Sequence, residues 1–537
     1  MNRKKFIQTG LGLGAGAFLS PYLPKQNTIT SGWQSGMVNH IIPQVSHNRI
    51  FITLSTITPM LTPPILEIGK KRVEGQRRDS QGQHWFFDID GLESNQTYSL
   101  KLNGNSERLC DDWSIKTFPH PSSDVEKMRL LVYTCAGGHP MSRDFRKLLK
   151  ESRQGFIDRR AALLKRGLSF SPDAVIAIGD QIYWDLEEVL PGIPGDGANE
   201  MAFEEVGKFD KSIPLLNTPN EEVLKKAVGP QVADLYKTHC RSTPVFMFND
   251  DHDYFENDKA TPSSITFPPR DFNLKLARLA QGLYWPEFLP DLNRPIGLSG
   301  SNAPDKARYS SESFGTLRYG KLAEILMYDC RRFTTLKGPS AGFIPRDAEE
   351  WLMKRVGAKD VLHTINVPSL PVGWSAGKWM EWYPDVLNKE GKLTKEIEKY
   401  FWQKGWQNQH DRILDYYSSQ RHKKPVFFQG DLHAFGAGTI FKNHETDYSK
   451  NPIYAYLMGP LGSTAWPSGI RQVKATVPTD LGMEEHFENV EESGFSIVDI
   501  TTDEIEIKMY KYLNTRDHLD MIENLEPFQT MKIKRQG

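Results

Sequence analysis

Apolar residues in this chain come in short continuous runs that stop abruptly at polar ones. The run A-V-I-A-I at 174–178 is followed at once by Gly179 and Asp180, and a stretch so uniformly apolar predicts a strand buried on both faces. Four other runs have this form. They end at Cys135, before D-D-H-D at 250–253, before D-C-R-R at 329–332 and before G-D-L-H at 430–433. Helical spacing at 161–166 lies between the first two runs, which makes a strand–helix–strand unit and places Cys135 and Asp180 on one rim of a parallel sheet. Further helices are predicted at 143–152, 221–228 and 232–239, and through a Trp-rich region from R-D-A-E-E-W-L-M-K to W-Q-N-Q-H-D-R-I-L-D-Y-Y. The segments 186–220 and 261–304, rich in Gly, Pro, acids or aromatics, read as irregular loops. F-S-I-V-D-I and E-I-E-I-K-M-Y near the end read as a hairpin that extends the sheet.

The pattern differs before residue 120. Short alternating runs punctuated by Gly and Asn predict a small β-sandwich over 30–119. The stretch D-G-L-E-S-N-Q-T-Y-S-L-K-L at 90–102 resembles a corner of a fibronectin type III-like module, with Leu92 packed inward and Tyr98 as the corner tyrosine. The expected organisation is an export signal at 1–26, the sandwich at 30–119, the main domain at 124–515 and a tail at 516–537. Arg3, Lys4 and Lys5 precede an apolar, glycine-rich run at 6–19. That run is too short to span a membrane and has the layout of an export signal. It resembles a twin-arginine signal with Lys4 in place of the second arginine, so the expected location is periplasmic or extracellular.

Composition narrows the function. Lys+Arg 66 against Asp+Glu 67 leaves a net charge of -1, so no global field draws the chain to nucleic acid or an anionic membrane. Oligomeric state is not legible. Four scattered cysteines in 537 residues make no disulfide framework, although one bridge stays open.

Four strand ends carrying Cys135, Asp180, Asp251 with His252, and Asp431 with His433 form a candidate metal site, and a fifth closes on Asp329 and Arg331. Carboxylates suit hard cations and can bridge two of them, whereas thiolate, imidazole or phenolate suit a transition metal. Two adjacent cations would hold a phosphoester in line with a nucleophile. Each residue also has an ordinary reading. Gly-Asp after a strand is a common turn, a lone cysteine is usually a buried thiol, and Tyr183 is otherwise a core aromatic.

G-D-Q-I-Y at 179–183, D-D-H-D at 250–253, Y-D-C-R-R at 328–332 and G-D-L-H-A at 430–434 resemble, in the same order, the motifs of the PhoD-like alkaline phosphatases. That family belongs to the calcineurin-like metallophosphatase superfamily. The resemblance implies an α/β fold, an αββα metallophosphatase sandwich preceded by the fibronectin type III-like β-sandwich. It also implies a ferric iron and calcium site acting on phosphomonoesters or phosphodiesters, with zinc or manganese as rival metals. Carried onto this chain, it assigns Cys135, Asp180, Tyr183 and His433 to iron. Asp180 then bridges to calcium, with Asp251 and Asp431 as further ligands and Asn257 contributing indirectly. His252 would protonate the leaving alkoxide or steady the phosphate, and Arg331 would neutralise phosphate oxygens. Asn249, Gln429 and Asp253 stand where the family commonly has Trp, Ser and Glu. The rival readings are a phosphodiesterase or phospholipase D-type enzyme on the same site, and an inactive surface-binding protein.

Overall fold

The computed structural model describes residues 32–535 apart from 106, 141–152, 185–204, 255–268, 270, 296, 301–309, 336–339, 375–403, 445, 463–474, 476, 478–480 and 514–515. The expected signal at 1–26, the helix at 143–152 and Asn257 lie outside the described residues. Residues 34–537 form one compact unit.

Nine short strands open that unit: β1 Val38–Val45, β2 Ile50–Thr56, β3 Ile65–Ile68, β4 Lys71–Glu74, β5 Gln76–Arg77, β6 His84–Ile89, β7 Thr97–Gly104, β8 Glu107–Arg108 and β9 Trp113–Lys116. They form two antiparallel sheets, ordered β1-β2-β6-β5 and β4-β3-β7-β8, with β9 also on β7. Leu92 is buried, and the Tyr98 hydroxyl accepts the Glu93 N–H at 2.7 Å. This small all-β part is docked on the rest. Ile42 lies in the same apolar cluster as Leu131 and Leu224. His40 donates from Nε2 to the Tyr284 carbonyl at 3.0 Å, while its Nδ1 faces Ser55 Oγ at 2.5 Å. Lys225 Nζ sits 2.6 Å from Asp79 Oδ2 and 2.9 Å from Glu221 Oε1.

The larger part is α/β. Its first half contains β10 Lys127–Thr134, α1 Arg153–Ser169, β11 Ala174–Ile178, α2 Pro219–Val228, α3 Ala233–Tyr236, β12 Val245–Phe248 and α4 Asp271–Tyr284. Its second half contains β13 Phe314–Tyr319, β14 Ala323–Tyr328, α5 Arg346–Gly357, β15 His363–Pro368, α6 Lys404–Ser419, β16 Val426–Gln429, β17 Phe435–Asn443, β18 Thr446–Asp447, β19 Ile453–Met458, β20 Leu481–Glu485, β21 Ser493–Thr501, β22 Glu504–Tyr512 and β23 Gln529–Lys534. A six-stranded mixed sheet runs β12-β11-β10-β21-β22-β23, and an eight-stranded one runs β13-β14-β15-β16-β19-β17-β18 with β20 on β17. The parallel pairs β10/β11, β11/β12, β14/β15, β15/β16 and β16/β19 put the carboxyl ends of each sheet's parallel strands on one rim.

Helices cover one face of each sheet. Leu163, Leu224, Leu276 and Leu283 pack with Leu131, Val175 and Met247 of the six-stranded sheet. Trp351, Leu352, Ile413 and Leu414 pack with Leu326, Phe427 and Leu457 of the other. Alternate residues such as Val132, Ile176, Ile325 and Met327 are equally buried. On those faces the two sheets touch: Ser496 Oγ donates to the Met458 carbonyl at 3.0 Å, and a Cβ on Gly430 would lie 2.9 Å from Ile178 Cγ2.

The motif-bearing strands are divided between the two sheets, as a two-sheet sandwich requires, because β10 pairs on its free side with β21 and leaves β14 to β16 to build the second sheet. Several expectations need correcting. Residues 261–304 are not wholly irregular, since α4 occupies 271–284. Its buried Leu276, Ala277, Ala280, Leu283 and Tyr284 have helical spacing, which flanking prolines and aromatics obscure. Each buried leucine there contributes about 2 kcal/mol of transfer free energy. The Trp-rich region is interrupted by β15, whose six residues are all buried. Residues 529–534 are not a tail, because they pair with β22. None of the four cysteines forms a disulfide, and all are buried. Among the described residues, no helix is long and apolar enough to cross a membrane.

Candidate metal centre

Cys135 follows β10 directly, Gly179-Asp180 follow β11, and the parallel pairing of those strands sets them side by side. Asp250, Asp251 and His252 lie just past β12, the next strand of that sheet. From the second sheet, Asp329 and Arg331 follow β14, and Asp431 and His433 follow β16. Thr134 Oγ donates to the Ile178 carbonyl at 2.6 Å and lies 3.1 Å from Cys135 Sγ, tying the first two strand ends together. Gly430 lets the second sheet come close, since a Cβ there would sit 2.3 Å from Thr134 Oγ.

Four residues of the centre hold left-handed backbone: Cys135 at φ 49°, Asp180 at 53°, Asp431 at 67° and His433 at 52°. This conformation is unfavourable for residues with a Cβ and persists where surrounding contacts fix it. It turns each side chain sharply inward from the strand end. Around Cys135 and Asp180, Gln231 and Asp253 supply such contacts to the segments that follow. Gln231 accepts the N–H groups of Gly138 and Tyr183, both at 2.8 Å, and donates to Tyr183 O and Ala227 O, both at 3.0 Å. The Asp253 carboxylate accepts from the backbone of Gln181, Ile182 and Asp250 at 2.8, 2.9 and 2.9 Å.

The resulting contacts are short. Cys135 Sγ lies 3.3 Å from Asp180 Oδ2. The Tyr183 hydroxyl lies 3.0 Å from the same oxygen and 2.9 Å from His433 Nε2, and that nitrogen is 3.8 Å from Asp180 Oδ2. Three sets have ligand atoms within 4.8 Å of one another: Cys135, Asp180 and His433; Asp180, Asp251 and His252; and Asp250, Asp251 and Asp431. All are buried except His252, which is partly exposed and packs on the Tyr183 ring at 4.1 Å. Arg331 points its guanidinium at two acids, with Nε 2.7 Å from Asp250 Oδ1 and an Nη 3.3 Å from Asp431 Oδ2. Its backbone N–H donates to Asp329, whose other oxygen accepts from the Tyr254 hydroxyl.

The electrostatics favour cations. Burial and then the Asp251 charge push the Asp180 carboxyl up to about 7. Burial drives Asp250 well above the usual carboxylate range despite Arg331, and burial with Asp180 nearby does the same to the Cys135 thiol. Buried Asp180 Oδ1 and Asp250 Oδ2 have no hydrogen-bond partner. Among the described residues, four closely packed carboxylates, Asp180, Asp250, Asp251 and Asp431, lie around the Arg331 guanidinium. Unpaired acceptors and surplus negative charge in a buried place are what bound cations offset, so the residues present fit a metal pair.

The geometry therefore collects Cys135, Asp180, Tyr183, Asp251, His252, Asp431, His433 and Arg331 in one place. Two contributors escaped the sequence reading. Asp250 was hidden beside Asp251 in the same D-D-H-D run, and Gln231 lies in the short turn between α2 and α3 with no polar signature. Of the substituted positions, Gln429 accepts the Val372 N–H through Oε1, and Asn249 has a buried, unpartnered Oδ1.

No protein-family model and no curated protein matches the sequence. Among solved structures, that of PhoD superposes over 94% of this chain and 91% of its own, with a TM-score of 0.59 and 14% identity. The type III pullulan hydrolase from Thermococcus kodakarensis aligns with a TM-score of 0.13, a value that shows no common fold. The chain is PhoD-like in its fold.

Proposed function

We propose that the chain is a metal-dependent phosphoester hydrolase, built as a helix–sheet–sheet–helix sandwich behind a small fibronectin type III-like sandwich. One observation carries this reading: Asp180 belongs at once to the set with Cys135 and His433 and to the set with Asp251 and His252. A carboxylate so shared is the means by which two cations are held side by side. Thiolate, phenolate and imidazole beside Asp180 suit ferric iron, and the all-carboxylate set of Asp250, Asp251 and Asp431 suits calcium, with zinc or manganese the rivals.

When bound, the cations supply Lewis acidity and an activated water. The protein's own groups do the rest. Tyr183 fixes the His433 and Asp180 positions through its hydroxyl and the His252 ring through its face. His252, the partly exposed member, holds a proton for the departing alkoxide. Arg331, clamped between Asp250 and Asp431, limits their mutual repulsion and lends its positive charge to bound phosphate. The twin-arginine-like N-terminus supports an exported protein acting in the periplasm or outside the cell.

The test is hydrolysis of p-nitrophenyl phosphate and bis(p-nitrophenyl) phosphate by protein stripped with chelator and then resupplied with iron and calcium. The proposal expects activity lost on stripping and regained on resupply, and the ratio of the two rates distinguishes a monoesterase from a diesterase. Failure to cleave either ester with metals present would contradict it.

A further inference from the structure

His252 and Arg331 come to the centre from different sheets, yet one side chain joins the segments that carry them. His252 opens a three-residue 3₁₀ helix, His252–Tyr254, just past β12. Tyr254 closes it, is 2% exposed, and packs in the apolar cluster of the eight-stranded sheet with Phe314, Leu326 and Tyr328. Its hydroxyl donates to Asp329 Oδ2 at the end of β14 and is also held by the Asn249 side chain. The other Asp329 oxygen accepts the backbone N–H groups of Arg331 at 2.7 Å and Arg332 at 3.0 Å.

Asp329 is fully buried and belongs to none of the three ligand sets. A buried carboxylate persists where donors satisfy it, and these donors come from the ends of both sheets. The Arg331 head rests instead on Asp250 and Asp431, which themselves form a ligand set with Asp251. Cations draw on those carboxylates, so in loaded protein the hold on the guanidinium weakens. The hold on the Arg331 backbone, through Asp329, does not.

We propose that Tyr254 is a positioning residue: through Asp329 it sets the His252 ring and the Arg331 guanidinium at the spacing at which one phosphoester meets both. This rests on the hydrolase reading above. As water forms the new P–O bond, the ester P–O bond breaks with its electron pair going to the leaving oxygen, which takes the His252 proton. An alkoxide needs that proton and p-nitrophenolate leaves without it, so misplacing His252 harms alkyl esters more than p-nitrophenyl esters.

Two variants of the metal-loaded protein test this. Tyr254→Phe keeps the ring in its apolar cluster and removes the bond to Asp329. Asp329→Asn can still bond the Tyr254 oxygen and accept both N–H groups. Each is assayed on p-nitrophenyl phosphate and ethanolamine phosphate, and on bis(p-nitrophenyl) phosphate and glycerophosphoethanolamine, with calorimetric titration of inorganic phosphate and elemental analysis alongside. In Tyr254→Phe, kcat on the alkyl ester should fall at least about tenfold more than on its p-nitrophenyl counterpart. Phosphate should bind about tenfold more weakly, and metal content should be unchanged. Asp329→Asn should keep the wild-type ratio of alkyl to p-nitrophenyl rates. An equal fall on both kinds of ester overturns the proposal, as does unchanged phosphate affinity, metal loss in Tyr254→Phe, or an Asp329→Asn protein that behaves like Tyr254→Phe. Wild-type protein that cleaves none of the four esters overturns the hydrolase reading itself, and this proposal with it.

Discussion

The sulfur of Cys135 lies 3.3 Å from Asp180 Oδ2, although 45 residues separate them in the chain. Parallel pairing of β10 with β11 brings the two strand ends together, and left-handed backbone at both residues turns the side chains toward each other. The Asp180 charge adds to burial in holding the Cys135 thiol well above its usual range, which an electropositive ion between them would reverse.

Cys135→Ser keeps the size of the side chain and removes the soft donor. Affinity for a transition metal should fall at least about tenfold, while calcium affinity changes little. Equilibrium dialysis against each ion separately measures this.

Tyr183 reaches Asp180 and His433 through its hydroxyl and packs its ring on His252. Tyr183→Phe should therefore keep the His252 packing and remove a phenolate ligand. If iron occupies the site, the purified protein has a visible charge-transfer band that this variant lacks, as absorption spectra of the two proteins would show.

Arg331 is 1% exposed and bonded to Asp250 and Asp431. Arg331→Met leaves those acids facing each other, at a cost of about 3 kcal/mol in metal-free protein. Added calcium should recover much of that loss, which denaturant melts with and without calcium would reveal. Equal losses in both conditions would assign Arg331 a purely structural place.

His40 is fully buried, and burial, together with the neighbouring His84, lowers its pKa to about 3 from 6.5. Between those values the unfolded chain binds the proton and the folded one does not. Stability is therefore highest above pH 6.5 and falls as pH drops, by about 1.4 kcal/mol per unit for this one group, levelling off near 3. Urea melts from pH 7.5 to 4.5 should show a slope that His40→Asn reduces by about one proton.

Much of the centre was legible because each ligand follows an apolar run that can only be a buried strand. Asp180 after A-V-I-A-I and His433 after V-F-F-Q-G-D-L are examples. Which residues join which metal came from the motif resemblance, since a run of apolar residues does not say how far a side chain reaches. Partition into two sheets came from the motif resemblance and not from the apolar runs, because β10 pairs with β21, more than 350 residues later in the sequence. The strand β15 carries His363, Thr364 and Asn366 among its six residues, so its composition resembles the helical surroundings. Gln231 had no signal, since its role rests on accepting from two loops that meet only after folding.

The shared carboxylate of Asp180 is the centre of this account, and elemental analysis of purified wild-type protein beside Asp180→Asn tests it most directly. The account predicts about two metal equivalents per wild-type chain and a loss of both, or of all but a weakly held one, in the variant. Wild-type protein that stays metal-free after iron and calcium are supplied, or a variant that keeps the full complement, would contradict it.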